Sequence, residues 1–282
     1  MRVRIATRAS PLARWQADHV AGLLRSADPD LDVEVVALST EGDRRTDVPL
    51  SEIGGKGVFA TEVQAALLDG RADVAVHSAK DLPARTPDGL VIAAVPERGD
   101  VRDALVGCRL VDLPTDGVVA TGSARRRVQL AHLRPDLRFE DLRGNMATRI
   151  ARSERDDVDA VVVAAVALQR LGLADRLTDV LPATLMVPQV AQGALAVECR
   201  SDDAALRELL GGIEHAVYAE VTGHGRARLF ADEDMDRSEA DKTAAVHFLR
   251  FELTPAMIAR VIAARIGRYF TSLVIRDRLA FL

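Results

Sequence analysis

Four short segments of the sequence gather hydroxyls, cations and one acid. They are Arg8-Ala9-Ser10, His77-Ser78-Ala79-Lys80-Asp81, Thr121-Gly122-Ser123-Ala124-Arg125-Arg126-Arg127, and Leu142-Arg143-Gly144-Asn145 with Thr148 and Arg149 just beyond. Each follows an apolar, strand-like run or opens a helix-like one. A helix start carries unpaired N–H donors and a partial positive charge, so it favours anions. Arginine adds a planar fork that grips a carboxylate through two hydrogen bonds. One Ser or Thr at a helix start is most often only a cap. Four such junctions in one chain point to an anion site. Asp81 is the exception among them: an acid among groups that favour anions. Beside Lys80 it could be a plain ion pair, or it could steady a developing cation or move a proton.

The surrounding charge supports this reading. Residues 123–152 hold eight Arg and three acids, a basic patch on a chain of net charge −5. Lys occurs only at positions 56, 80 and 242, which makes Lys80 beside Asp81 more noticeable. The overall acidity and an aromatic content of 4% argue against nucleic-acid binding, which wants a basic surface and stacking rings. The six histidines and two cysteines show no metal-ligand spacing, and His215 with His224 is the only close histidine pair near the C-terminus. Cys108 and Cys199 could form at most one disulfide. No run approaches the roughly 20 apolar residues of a membrane span, and the first residues lack a secretory pattern, so the expected compartment is the cytoplasm.

The elements that must position these residues alternate. Strands are expected at 3–7, 33–38, 74–77, 91–95, 104–106, 118–120, 137–140, 160–163 and 194–199. Helices are expected at about 11–25, 59–68, 124–133, 146–155, up to 171, and 202–210. The first helix is signalled by Ser10 as N-cap with Pro11 behind it. This alternation predicts α/β layering with mostly parallel sheets, and a ligand at the carboxyl ends of the strands. The Pro-rich, charged stretch 96–103 reads as one crossing between two units, and 188–193 as a second. The aperiodic, Gly-rich stretch 41–57 reads as a functional loop. After residue 211 the pattern changes to antiparallel strands at about 216–221, 227–230 and 245–253, then a helix from Thr254-Pro255.

In order, Arg4-Ile5-Ala6-Thr7-Arg8-Ala9-Ser10-Pro11-Leu12-Ala13, Gly54-Gly55-Lys56-Gly57, Ala75-Val76-His77-Ser78-Ala79-Lys80-Asp81, Leu142-Arg143-Gly144-Asn145, Gln169-Arg170-Leu171-Gly172-Leu173, Gln192-Gly193-Ala194 and Glu198-Cys199-Arg200 resemble hydroxymethylbilane synthase (porphobilinogen deaminase) over about residues 2–210. The resemblance implies two periplasmic-binding-protein-like α/β domains around a cleft, drawn here as 1–95 with 193–210, and 96–192. A small atypical α+β segment, 211–282, stands in place of the usual third domain.

The implied reaction joins four porphobilinogen units head to tail with loss of ammonia, giving hydroxymethylbilane for haem biosynthesis. By the same carry-over Asp81 is catalytic. Arg8, Ser10, Ser78, Lys80, Thr121, Ser123, Arg125, Arg126, Arg143, Asn145, Arg149 and Arg170 bind the carboxylates of substrate, growing polypyrrole chain or dipyrromethane cofactor. The loop at 41–57 covers the cleft, and the protein is a monomer. The family holds its dipyrromethane on a cysteine in a Gly-Gly-Cys loop of the third domain, and that loop has no match here. The alternative is therefore a family member that binds pyrrole carboxylates without turnover. Residues 212–261 instead resemble the C-terminal part of an uncharacterised family of small bacterial proteins.

Overall fold

The computed structural model describes residues 1–38, 60–83 and 85–213, and the backbone of 218–221, 225–231 and 249–251. The loop expected at 41–57 and the helix expected from 254 lie outside the described residues. The chain divides into one unit of Met1–Glu214 and a second of His215–Leu282.

The first unit holds two five-stranded sheets. In sheet 1, β1 (Arg2–Arg8), β2 (Asp32–Leu38), β3 (Val74–Ser78), β4 (Leu90–Ala94) and β10 (Leu195–Arg200) run in the order β2-β1-β3-β10-β4. In sheet 2, β5 (Asp103–Gly107), β6 (Val118–Ala120), β7 (Arg138–Glu140), β8 (Ala160–Ala164) and β9 (Asp179–Val180) run β7-β6-β8-β5-β9. The two orders share one plan. The first strand after each crossing, β5 or β10, enters fourth in its sheet and runs antiparallel to both neighbours. The pairs β1–β2, β1–β3, β6–β7 and β6–β8 are parallel, which aligns their carboxyl ends. Strand β9 is too short to carry a periodic signal, and the sequence pattern predicts no strand there.

Packing follows the apolar pattern. Helix α1 (Pro11–Ala27) lays Ala17, Val20, Ala21 and Leu24 on Val3, Ile5, Val74, Val76, Leu195, Val197 and Cys199 of sheet 1. Helix α6 (Ala204–Gly211) adds Leu206 and Leu210 to the same core. Helix α2 (Thr61–Leu68) covers the opposite face, with Val63, Ala66 and Leu67 on Ala6, Ala75 and Leu90. In sheet 2, Leu130 of α3 (Ala124–Leu133) shares a core with Leu105, Val119 and Val162. Ile150 of α4 (Met146–Ser153) and Leu168 of α5 (Ala165–Arg170) pack with Ala104, Val106, Val161 and Val163. The valine-rich β8 is buried at all five positions, as a central strand covered on both faces must be.

In the second unit, β11 (Tyr218–Val221), β12 (Gly225–Ala231) and β13 (Leu249–Phe251) form an antiparallel sheet in that order.

Candidate functional site

The parallel strands deliver their following residues to two adjoining pockets. Arg8, Ser10, Gln16, His77, Ser78 and Asp81 line the first, at the ends of β1 and β3. Ser78 and Gln16 recur in the second, where Lys80 joins them. There they face Ala164, Val166 and Arg170 from the sheet 2 side and Gly193 from the second crossing. The site therefore lies where the two lobes meet.

Local geometry explains each placement. The Ser10 hydroxyl caps α1 by accepting from the Ala13 amide at 3.3 Å. Ser78 closes β3, and its hydroxyl accepts from Gln16 Nε2 at 2.9 Å, which joins strand end to helix. A turn of 3₁₀ helix, Ala79–Asp81, then presents Lys80 and an exposed Asp81. On sheet 2, the Thr121 side chain is buried and accepts from the Ser123 amide at 3.2 Å. Ser123 caps α3, and Asn145 caps α4 through its bond from the Thr148 amide. Thr121, Ser123 and Asn145 thus build the turns that aim their neighbours. Arg143 is exposed, on the turn before α4.

The cations are held differently from one another. Arg126 is buried, and every edge of its guanidinium is engaged. Nε and Nη2 donate to Asp103 at 3.1 and 2.7 Å, and Nη1 to the Val162 carbonyl at 3.0 Å. Arg125 is half-buried and donates from Nη2 to Asp103 at 2.7 Å and from Nη1 to the Val187 carbonyl at 2.5 Å. Its Nε is buried without a partner, and so is Gln192 Oε1. Arg149 donates from Nε to the Gly144 carbonyl at 2.9 Å. Arg170 donates to the Gly193 carbonyl at 2.7 Å and lies 5.4 Å above the Trp15 ring.

Loss of solvent lowers the Lys80 pKa. Asp81 opposes that effect, while Arg126 adds to it. Burial also lowers Arg149, with Arg126 contributing, and pushes Arg170 down to about 10. At about 10, Arg170 remains charged at neutral pH. Burial alone would raise the Asp103 carboxyl. Arg126 and Arg125 outweigh that effect and hold it below the usual range. Lys80, Arg125, Arg126 and Arg149 outnumber Asp81 and Asp103, which leaves surplus positive charge for a bound carboxylate.

The basic patch is narrower than its composition. Arg127 pairs with Asp141, Arg134 with Asp136, and Arg152 with Glu140 and Asp157, while Arg138 bonds the Asp116 carbonyl. These four arginines stabilise the second lobe locally. Sequence patterning singles out neither Asp103 nor Gln16, and it places His77 and Gln192 in motifs without giving either a role. Asp103 carries no signal of its own, because an acid at a strand start reads as solvent-facing. His77, beside the first pocket, has Nε2 2.9 Å from a buried Glu198 carboxylate, to which Gln64 donates.

The two sheets and the pockets at their strand ends define a two-lobed α/β protein with polar, cation-lined pockets between its lobes. The family model described as "Porphobilinogen deaminase, dipyromethane cofactor binding domain" matches residues 3–208. A porphobilinogen deaminase from Syntrophomonas wolfei subsp. wolfei (strain DSM 2245B / Goettingen) is 49% identical over 216 residues, covering 76% of this chain and 71% of that one. The chain belongs to the porphobilinogen deaminase family. A second model, of a protein family of unknown function (DUF3501), matches residues 181–268. Among solved structures, the chain is similar to the methionine binding protein MetQ (13% identity, TM-score 0.47, 75% of this chain and 89% of that one). It is also similar to YhfZ from Shigella flexneri (20% identity, TM-score 0.40, 75% and 89%). Among the described residues, no helix is long and apolar enough to cross a membrane.

The matched domain is that of the dipyrromethane cofactor, so the residues present can be tested against it. The cation cluster suits the cofactor's carboxylates. The thiols do not suit its covalent attachment. Cys199 lies fully buried in the core under α1 and α6, and burial pushes it up to about 11. Cys108 follows β5 at the end opposite the site. Asp103, which holds the arginines, pairs with Ala164 at the end of β8, and Gly107 pairs with Ala160 at its start. Five residues of strand put Cys108 roughly 16 Å from that end. These are the only cysteines in the sequence.

Proposed function

We propose that this chain condenses porphobilinogen units head to tail with release of ammonia, as its family resemblance implies. The observation that carries the reading is the clustering of Lys80, Arg126 and Arg149 near Asp81, where Asp81 and Arg126 both act on Lys80 and Arg149. Arg125 and Arg149 would fix the acetate and propionate of the incoming pyrrole. Arg8, Ser10, Ser78, Lys80 and Arg170 would bind carboxylates across the two pockets. Arg143, exposed before α4, would extend that set. The two lobes are 1–95 with 193–210, and 96–192.

The exposed Asp81 carboxylate would face the reacting carbon. When the aminomethyl group leaves as ammonia, the pyrrole becomes an azafulvenium cation, and a fixed negative charge stabilises it. The free α-carbon of an acceptor pyrrole then forms the new bond, and its ring proton is lost. One C–N bond breaks, one C–C bond forms, and the departing nitrogen and proton together amount to ammonium. No step here passes through a protein thiol.

The position of the two thiols favours a second reading, in which the cleft binds pyrrole carboxylates without turnover. Incubating the full chain with porphobilinogen separates the two. Porphobilinogen loss with uroporphyrin formation is expected, and Asp81→Asn should abolish it while leaving binding by calorimetry in place. Binding without consumption by wild type would reject the transferase reading and establish the second.

A further inference from the structure

The first crossing ends at Asp103, which starts β5 and is fully buried. Four donors converge on its carboxylate: Arg125 Nη2 at 2.7 Å, Arg126 Nε and Nη2 at 3.1 and 2.7 Å, and Gln192 Nε2 at 3.0 Å. Three of the bonds fall on Oδ1 and one on Oδ2, and the side chain is wholly buried among these partners, so no ligand reaches it. Its effect must pass through its partners. It immobilises Arg126 completely and fixes one edge of Arg125, whose second edge is on Val187 and whose Nε has no partner. Two guanidinium charges against one carboxylate leave an excess of one. Burying excess charge beside an unmet donor is costly for folding alone, and a carboxylate ligand relieves it.

Gln192 belongs to the second crossing, and the two crossings are laced together. Gly99 donates to the Gly193 carbonyl at 3.1 Å, Arg98 to the Gln192 carbonyl at 2.7 Å, and Gln192 Nε2 to the Val101 carbonyl at 2.6 Å. The same Gln192 amide therefore reads the crossing and holds Asp103.

We propose that Asp103 is the positioning residue of the carboxylate site, presenting Arg125 to the ligand, and that Gln192 ties this geometry to the lobe crossing. The ligand class is a pyrrole dicarboxylate, and that part rests on the function proposed above. Substrate grip then depends on how the crossings pack. A shift between the lobes changes the Arg125 site without any ligand touching Asp103 or Gln192.

Calorimetry of the full chain tests this with two probes, porphobilinogen and plain succinate. Asp103→Asn should weaken binding by about tenfold or more, the scale of a lost charged hydrogen bond. In an Arg125→Ala background the same substitution should cost no more than about twofold, because a residue acting through Arg125 has nothing left to act on. A general structural defect would instead cost the same in both backgrounds. Should Asp103→Asn fail to fold, Gln192→Met carries the test, with an expected loss of about three- to tenfold that again vanishes in Arg125→Ala. Full-strength binding in either folded variant, or an undiminished loss in the Arg125→Ala background, overturns the proposal. Wild type that binds succinate but not porphobilinogen refutes the pyrrole reading and leaves the Asp103 result to be read from succinate. Wild type that binds neither refutes both.

Discussion

Gly193→Ala should be among the most damaging single-atom changes available near the site. Gly193 sits at φ +87°, a backbone region that costs an L-residue about 1–2 kcal/mol. An added Cβ would lie 2.5 Å from the Gly99 carbonyl oxygen, 3.0 Å from that of Asp100 and 3.1 Å from the Gly99 carbonyl carbon. All three are backbone atoms, so no side chain can swing away. Overpacking of this kind adds about 1–3 kcal/mol. Gly172 supplies the control. Its φ is +70°, and an added Cβ meets nothing within 4 Å. Gly172→Ala should therefore show only the backbone cost, and the unfolded-state gain from Gly→Ala cancels between the two variants. The expected difference in unfolding free energy is about 1–3 kcal/mol, read from urea midpoints at a shared slope. Gly193→Ala should also bind porphobilinogen more weakly, because Arg170 bonds the Gly193 carbonyl. Equal midpoints for the two variants would refute the packing argument for the crossing.

Two further outcomes follow from charge and burial. Burial would raise the Asp103 and Asp73 carboxyls, but Arg126 with Arg125, and Arg4, hold them below the usual range, and a hydrogen bond from Arg102 does the same for Asp100. The unfolded chain therefore takes up protons more readily, and the stability these pairs contribute is present above about pH 4 and lost as pH falls through the folded values. Urea midpoints should stay level from about pH 7 to 5 and drop below about 4, and a drop that starts near pH 6.5 would implicate histidine instead. Iodoacetamide on the native chain should label Cys108 slowly and leave Cys199 untouched until urea is added, since both thiols are raised by burial and Cys199 is also inaccessible. Porphobilinogen should give Cys108 no protection. Native labelling of Cys199, or protection of Cys108 by substrate, would contradict the placement of the thiols.

Most of the first unit was legible in the sequence because its signals are local. Short runs rich in Val, Ile and Ala mark β1, β6 and β8, and Ser10-Pro11 and Ser123 announce helix starts within two residues of where they fall. The pairing of β10 with β3 and β4 was not legible, because register between strands over a hundred residues apart leaves no local trace. The cations of the site were legible by type. Their division of labour was not. Arg125 and Arg126 are neighbours in an Arg triplet, yet one is wholly tied up and the other half free. That difference comes from Asp103 and Val187, which lie far away in the chain.

The insertion of β10 between β3 and β4 bears on how the polypeptide is made. Sheet 2 draws all its strands from one continuous stretch, 103–180, so it can close as soon as that stretch has emerged. Sheet 1 begins with the first residues synthesised and cannot be completed until residues 195–200 arrive. Until then β3 and β4 face each other across a missing strand, each with unpaired backbone groups open to wrong partners. The lobe translated second is thus the one able to fold first. A chain halted between Val180 and Leu195 would carry a finished second lobe and an unfinished first.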